Sequence, residues 1–109
     1  MAYDESLADR VRSVLKRRRG IAEKKMFGGL AFLLNGHMCC GVIGDDLVLR
    51  LGKEGAAKAL ERRHTREMDF TGRSLKTMVY VEPAGYQRAA DLRRWITQAA
   101  DNAKSLPPK

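Results

Sequence analysis

The sequence contains few cysteines, prolines and aromatic residues: of its 109 residues, two are cysteine, three are proline and 6% are aromatic. The cysteines, Cys39 and Cys40, are neighbours. In an extended strand their side chains point to opposite faces, so they cannot form an unstrained disulfide with each other. This arrangement fits a reducing compartment, and we expect a cytoplasmic protein.

Long apolar runs are also missing, and the longest covers residues 30–34. A membrane-spanning helix needs roughly 20 apolar residues, so we expect neither an integral membrane protein nor a membrane partner. The N-terminus has Asp4 and Glu5 followed by arginines, with no apolar core of the kind that a secretory signal peptide needs.

Positive charge is what the sequence has in excess, with a formal net charge of +8. Such a charge favours nucleic acid, anionic surfaces or acidic proteins as partners, without choosing among them. The hydrophobic content of 44% predicts a folded chain. We expect one domain over residues 1–104 and a flexible tail over 105–109, with no internal repeat or linker.

Hydrophobic spacing and turn residues predict an α+β fold, in which an antiparallel β-meander packs against an N-terminal and a C-terminal helix. The predicted order is α-β-β-β-β-α-β-α, with residues 68–76 as a loop. The predicted elements are a helix over 4–18, strands over 24–27, 30–34, 37–43 and 47–51, a helix over 54–63, a strand over 77–82 and a helix over 87–103.

The Asn35-Gly36 pair is typical of a two-residue hairpin turn, which sets the register of its flanking strands. It predicts Leu34 opposite His37 and Phe32 opposite Cys39. One face of the meander is then wholly apolar and forms the core under the first and last helices. The residues predicted on this core face are Met38, Cys40, Val42, Leu47, Leu49 and Leu51.

The second predicted face mixes apolar and polar residues and is too apolar to be left in water. Two kinds of cover stay open: the segments 54–63 or 64–76 of the same chain, or a second protomer or partner protein. The candidate interaction face consists of Leu30, Phe32, Leu34, His37, Cys39, Ile43, Val48 and Arg50.

Several sequence blocks together resemble one known family. They are Met26-Phe27-Gly28-Gly29, Leu47-Val48-Leu49-Arg50, Met68-Asp69-Phe70-Thr71-Gly72-Arg73 and Tyr80-Val81-Glu82-Pro83. The chain resembles the TfoX/Sxy N-terminal domain family over nearly its whole length. The resemblance implies a small α+β domain of bacterial competence regulators that acts through the transcription machinery rather than as an enzyme. It supplies no catalytic or ligand-binding residue.

A second hypothesis comes from the basic residues of the first helix and the following strand. Phosphate contacts need only enough lysine and arginine on one surface, although cations at a helix C-terminus also have a purely structural explanation. Few aromatics lie among them, which disfavours stacking on single-stranded bases. The candidate nucleic-acid contacts are Arg10, Arg12, Lys16, Arg17, Arg18, Arg19, Lys24 and Lys25.

Metal binding and catalysis have weaker support. His37, Cys39, Cys40 and His64 lack the paired spacing that structural zinc sites use, so we expect no metal and no cofactor. Cys39 in mid-strand lacks the helix N-terminus that commonly activates a thiolate, and no serine lies in a nucleophile-elbow context. We therefore expect no catalytic residues.

Two polar segments have both a ligand and a turn interpretation. The glycines at 28–29 lack the Gly-Lys-Ser/Thr ending of a phosphate-binding loop and fit a turn with positive φ. Residues 68–73 offer Asp69, Thr71 and Arg73 to a ligand, but a turn with Phe70 anchored to the core is the simpler interpretation.

Taken together, these features predict a non-enzymatic regulatory domain that acts by protein contact. Its partner would be a second copy of the chain in a homodimer or a protein of the transcription machinery. Direct nucleic-acid binding by the first helix is the alternative. A ligand-binding or enzymatic pocket built from distant residues is the third.

Overall fold

The computed structural model describes residues 3–26, 28–70 and 73–107, with side chains except those within 68–75. The predicted α+β class is confirmed, and the structure adds a strand, β5, and a short helix, α3. The elements in chain order are α1 (Glu5–Leu15), β1 (Ile21–Met26), β2 (Gly29–Leu34), β3 (His37–Ile43), β4 (Asp46–Arg50), α2 (Gly52–Ala59), β5 (Thr65–Phe70), β6 (Arg73–Val81), α3 (Pro83–Tyr86) and α4 (Ala89–Lys104).

The loop predicted over residues 68–76 is wrong, because β5 and β6 pair there as an antiparallel hairpin. The register of this hairpin shifts between Glu67 and Met68. That irregularity interrupts the alternation of apolar and polar residues by which a strand is recognised from sequence. The turn predicted at Thr71-Gly72 lies outside the described residues.

The strands form a six-stranded sheet in the order β1-β2-β3-β4-β6-β5, and all neighbours are antiparallel. Exposed lysines on the edge strand β1, Lys24 and Lys25, oppose edge-to-edge pairing with another chain. The turn between β2 and β3 is as predicted, since Asn35 and Gly36 have φ values of 53° and 85°. Leu34 pairs with His37, also as predicted.

A β-bulge in β3 changes the rest of this register. Leu33 pairs with Met38, but Phe32 pairs with Cys40, so Cys39 is an extra residue on its strand. The prediction that Phe32 lies opposite Cys39 is therefore wrong. A bulge places two successive side chains on about the same side of the sheet. Both cysteines accordingly lie in the core, each 0% exposed, rather than on opposite faces.

The two longest helices have the apolar stripes that their sequences predict. In α1 the buried residues Leu7, Val11 and Leu15 recur every four positions. Asp4 caps the N-terminus of α1, since its Oδ1 accepts a hydrogen bond from the backbone N–H of Ser6 at 2.9 Å. Such a cap is worth about 1 kcal/mol. In α4 the buried residues are Leu92, Trp95, Ile96, Ala99, Ala100 and Ala103.

These helices, together with α2 and α3, pack on one side of the sheet. The short helix α2 joins the same core through Ala56 and Ala59, so it does not cover the other face. Phe32 is fully buried at the centre of this core. The strand residues on the helix-covered side are Leu30, Phe32, Leu34, Cys39, Cys40, Val42, Leu47, Leu49, Val79 and Val81.

Candidate functional site

The second side of the sheet has no helix packed on it within the described residues. We call this surface the open face. By strand alternation and register it has an apolar centre with charged residues at its borders. Its residues include Ala22, Lys24, Ala31, Leu33, Met38, Gly41, Ile43, Asp46, Val48, Arg50, Arg66, Met78 and Tyr80.

The centre of the open face is built around Gly41, which pairs with Ala31 on β2 and Val48 on β4. A Cβ added at Gly41 would lie 3.4 Å from the Cε of Met38, so the Met38 side chain lies close over the glycine. Ala31 and Val48 are 1% and 0% exposed. The open face is therefore closely packed at its centre, although none of the described helices covers it.

The apolar residues around this centre stay partly accessible. Leu33, Met38 and Ile43 are half-buried. Leu33 and Met38 are paired neighbours on β2 and β3, whereas Ile43 lies at the other end of β3, beyond Gly41. A contiguous accessible apolar surface usually marks a binding site.

One border of the open face is held by Arg66. Its guanidinium lies over the ring of Tyr80, 4.3 Å from the ring centroid. It also forms ion pairs with Asp46 and, at 3.3 Å, with Glu82. Burial raises the pKa of Asp46 in spite of this cation. By contrast, Lys24 and Arg50 have no ion-pair partner within the described part of the chain.

The predicted interaction face is therefore divided between the two sides of the sheet. Ile43, Val48 and Arg50 lie on the open face as expected. The placement of Leu30, Phe32, Leu34 and Cys39 on it is wrong, because all four lie in the core.

His37 also lies on the helix side, and its Nε2 donates to the carbonyl of Pro107. The bulge at Cys39 is the physical reason for these errors, since it exchanges the faces of His37 and Met38 relative to the rest of β3. Sequence reasoning missed Leu33 and Tyr80 and assigned Met38 to the core. No sequence pattern indicated the bulge.

Three of the predicted nucleic-acid contacts are used within the fold. Arg10 donates to the carbonyls of Tyr86 and Gln87, at 3.3 and 3.1 Å, which joins α1 to α3. Arg12 pairs with two carboxylates, and Arg18 pairs with Asp101 of α4 at 3.0 Å. These arginines hold elements together.

The Arg12 pairs reach both α1 and the sheet. Its guanidinium lies 2.6 Å from a carboxylate oxygen of Asp9 and 2.7 Å from one of Glu23. The hydrogen bond from Arg12 lowers the pKa of Glu23. The edge strand β1 is thereby tied to the first helix.

The other predicted basic residues are exposed and have no ion pair among the described residues. Lys16, Arg17 and Arg19 lie at the end of α1. Lys24 belongs to the open face, and Lys25, one residue on, alternates to the helix side. The expected single cluster is therefore dispersed over three places, and its binding of nucleic acid stays a prediction.

The cysteines have the environment of core residues. Cys39 and Cys40 are free and buried. The hydrogen bond to Cys39, together with burial, raises the pKa of the Cys40 thiol well above its usual value. Among the described residues no three histidine, cysteine, aspartate or glutamate side chains come together in a metal-binding arrangement. No described helix has both the length and the apolar character needed to cross a membrane.

The structure thus defines a small α+β domain with a core on one side of an antiparallel sheet and an open face on the other. The family model for the TfoX N-terminal domain matches residues 13–103. The chain belongs to the TfoX N-terminal domain family, a family of non-enzymatic regulatory domains associated with competence. No curated protein and no solved structure matches the chain.

Proposed function

We propose that this protein is a non-enzymatic regulatory domain of the competence-regulator type and that it acts by protein contact through the open face. The observation that supports this proposal is the neighbouring pair of Leu33 and Met38, which is apolar, partly accessible and not covered by any described helix. The hydrophobic core of the domain already lies on the helix side of the sheet. The accessible apolar residues of the open face are therefore better explained by binding than by folding.

The partner that fits this surface is a protein with an apolar patch bordered by acidic residues. Lys24 and Arg50 flank the open face without ion-pair partners in the described chain, and a complementary acidic border would neutralise them on binding. A second copy of the chain is a poorer fit, because each copy has a net charge of +8. A protein of the transcription machinery with an acidic surface is the partner we infer, and the contact would form in the cytoplasm.

A photo-crosslinking amino acid placed at Leu33 in the protein's own cells tests the contact directly. We expect a specific adduct with one protein, whose identity is then read by mass spectrometry. The same amino acid at Lys58, an exposed position on α2 away from the open face, is the matched control and should not give this adduct. An adduct formed equally from both positions would contradict the proposal.

The identified partner is then tested as a purified protein by calorimetry. Reversing two charges on the open face, Lys24→Glu with Arg50→Glu, should weaken binding by about tenfold or more, because two favourable charge pairs become repulsive. The control Lys58→Glu with Lys104→Glu makes the same change in net charge at exposed positions on α2 and α4. Equal loss in both variants would show that net charge, not the open face, determines binding.

Self-association of the protein would indicate that the open face binds a second copy of the chain rather than an acidic partner. Sedimentation at high concentration distinguishes the two. A dimer that Leu33→Asp dissociates, combined with adducts between copies only, would overturn the partner that we infer. It would support the homodimer expected from the sequence.

A further inference from the structure

The outer side of the helical layer has a series of concavities lined by cations. The first lies between α1 and α4 and has a volume of about 520 Å³. Apart from the wall supplied by Val14, its lining side chains are cations and hydroxyls. They are Ser13, Lys16, Arg17, Arg18, Arg93 and Thr97.

Two further concavities continue from the first across α4. One of about 530 Å³ shares Arg93 and Thr97 with it and adds Arg94. The next, of about 320 Å³, shares Arg94 and adds Arg62 and Arg63 from the segment between α2 and β5. Because each shares a residue with its neighbour, they form one continuous surface, which we call the basic track. Its cations are Lys16, Arg17, Arg18, Arg62, Arg63, Arg93 and Arg94.

Most of the positive charge on the basic track is not used within the fold. Two carboxylates line it, those of Asp91 and Asp101, and each pairs with one arginine at 3.0 Å, Arg94 and Arg18 respectively. The exposed cations of the track without an ion-pair partner in the described chain are Lys16, Arg17, Arg62, Arg63 and Arg93.

We propose that the basic track binds the phosphate backbone of a nucleic-acid duplex without reading its sequence. A row of unpaired cations along a shallow surface matches a row of phosphates, and binding would release the counterions of the duplex. Arginine suits this role because its guanidinium can donate two parallel hydrogen bonds to one phosphate.

A duplex fits the track better than a single strand does. Single-strand binding usually relies on exposed aromatic rings that stack on the bases. Trp95, the aromatic residue beside the track, is 3% exposed, its indole N–H donates to the carbonyl of Gly85 at 3.2 Å, and Arg62 lies over its ring. No stacking platform is therefore available at this position.

The residues of the track differ from those predicted from sequence. Arg62, Arg63, Arg93 and Arg94 were not among the expected nucleic-acid contacts, and they come from segments far from α1 in the chain. The track lies on the helix side of the sheet, opposite the open face. A protein partner and a duplex can therefore be bound at the same time without competing for one surface.

Fluorescence anisotropy with a short labelled DNA duplex, measured over a range of salt concentrations, tests the proposal. The triple variant Arg17→Ala, Arg63→Ala and Arg93→Ala removes one unpaired cation from each part of the track. We expect its dependence of log affinity on log salt to fall by about one unit per lost contact, and its affinity at low salt to fall by about tenfold or more.

The control variant is Lys53→Ala, Lys58→Ala and Lys104→Ala. It loses the same formal charge from exposed positions that line none of the three concavities. It should keep the salt dependence of the original protein. Circular dichroism should show both variants folded, since all six side chains are exposed.

Three results would overturn the proposal. They are the absence of duplex binding at low salt, an equal loss in the track and control variants, and tighter binding of a single strand than of the duplex. A duplex RNA of the same length serves as a second probe, and binding of DNA and RNA duplexes with the same track dependence supports backbone recognition. None of these variants changes the open face, so the protein contact can fail or succeed independently.

Discussion

Phe32 and Leu33 are neighbours on β2, yet their surroundings differ completely. Phe32 is fully buried under the helices, whereas Leu33 lies half-buried on the open face. The contrast extends to whole strands, because every strand in the centre of the sheet contributes one set of side chains to each side. The helix side of the strands is almost wholly apolar and covered, whereas the open face has an apolar centre with charged borders and no described helix over it.

This difference separates the residues that stabilise the fold from those available to a partner. Apolar side chains on the helix side remove their surface from water within the chain itself, each contributing about 1.5–3 kcal/mol. On the open face part of that surface remains to be buried, and a partner protein would gain the corresponding free energy. The charged exterior of the helical layer forms a third kind of surface, suited to phosphate.

Removing single residues from β3 should have the largest effect. Deleting Gly41 shifts the rest of β3 by one position, which moves Val42 from the core to the open face and Ile43 from the open face to the core. The core then loses a buried strand residue, and the protein should not fold. Deleting Cys39 removes the bulged residue and leaves Phe32 opposite Cys40, so the fold should survive with a lower midpoint of urea unfolding. Circular dichroism and urea titration measure both. If both deletions unfold the protein, the bulge at Cys39 does not determine which residues of β3 face the core.

Truncations on either side of the sheet should differ in size. Phe32→Ala should lower the free energy of unfolding by about 3–5 kcal/mol, because it leaves a cavity in the closed core. Met38→Ala should cost only about 1 kcal/mol, because its side chain is already partly in water. Urea unfolding compares the two, and similar losses would contradict the assignment of Met38 to an uncovered surface.

Alkaline pH should weaken the helix side through Tyr86, which is 5% exposed and whose hydroxyl donates to the carbonyl of Asp45. Burial raises the pKa of Tyr86 from 10.0 to about 12. The folded pKa is above the unfolded one, so this stabilisation is complete below pH 10.0 and is lost as the pH rises to about 12. At about 1.4 kcal/mol for each pH unit between the two pKa values, it amounts to at most roughly 3 kcal/mol.

The variant Tyr86→Phe isolates this contribution. It should show a smaller loss of stability over the same alkaline range, although it loses about 1 kcal/mol of hydrogen bonding at neutral pH. Parallel stability curves for the two proteins, measured by urea unfolding at each pH, would rule out Tyr86 as the responsible group.

The smallest expected effect is the difference in the free energy of unfolding between removing Arg12, which is ion-paired, and removing Arg17, which is not. Arg12→Ala breaks pairs with Asp9 and Glu23 and should cost up to about 1 kcal/mol, less at high salt because the pairs are exposed. Arg17→Ala breaks no pair in the described chain and should leave the free energy of unfolding unchanged. Unfolding at low and high salt checks both values, and a larger cost for Arg17 would show a structural role for the track.

Much of the fold was predictable because it depends on local patterns. The four-residue spacing of Leu7, Val11 and Leu15 predicted α1, and Asn35-Gly36 predicted a turn with its correct first pairs. Strand β5 was not predictable by the same means. Its alternation is interrupted near Glu67, and its pairing with β6 is not visible in one strand taken alone.

The candidate site was predicted less well. Ile43, Val48 and Arg50 were placed on the uncovered side, but the residues of β2 were assigned to the wrong face. The error comes from one residue, Cys39. The local sequence is compatible both with regular pairing of β2 and β3 and with a bulge at this residue, so it does not distinguish them. Packing of both cysteines under the helices favours the bulged arrangement, and that energy depends on residues distant in the chain.

The sequence by itself determined the charge excess, the class of fold, the amphipathic helices and the turn between β2 and β3, because each depends on composition or on residues close together in the chain. The tertiary structure decided which face of β2 is buried. It also brought segments 16–18, 62–63 and 93–94 together as the basic track. Both outcomes depend on contacts between segments distant in the chain, because the helices all pack on one side of the sheet and leave the other side without a described helix.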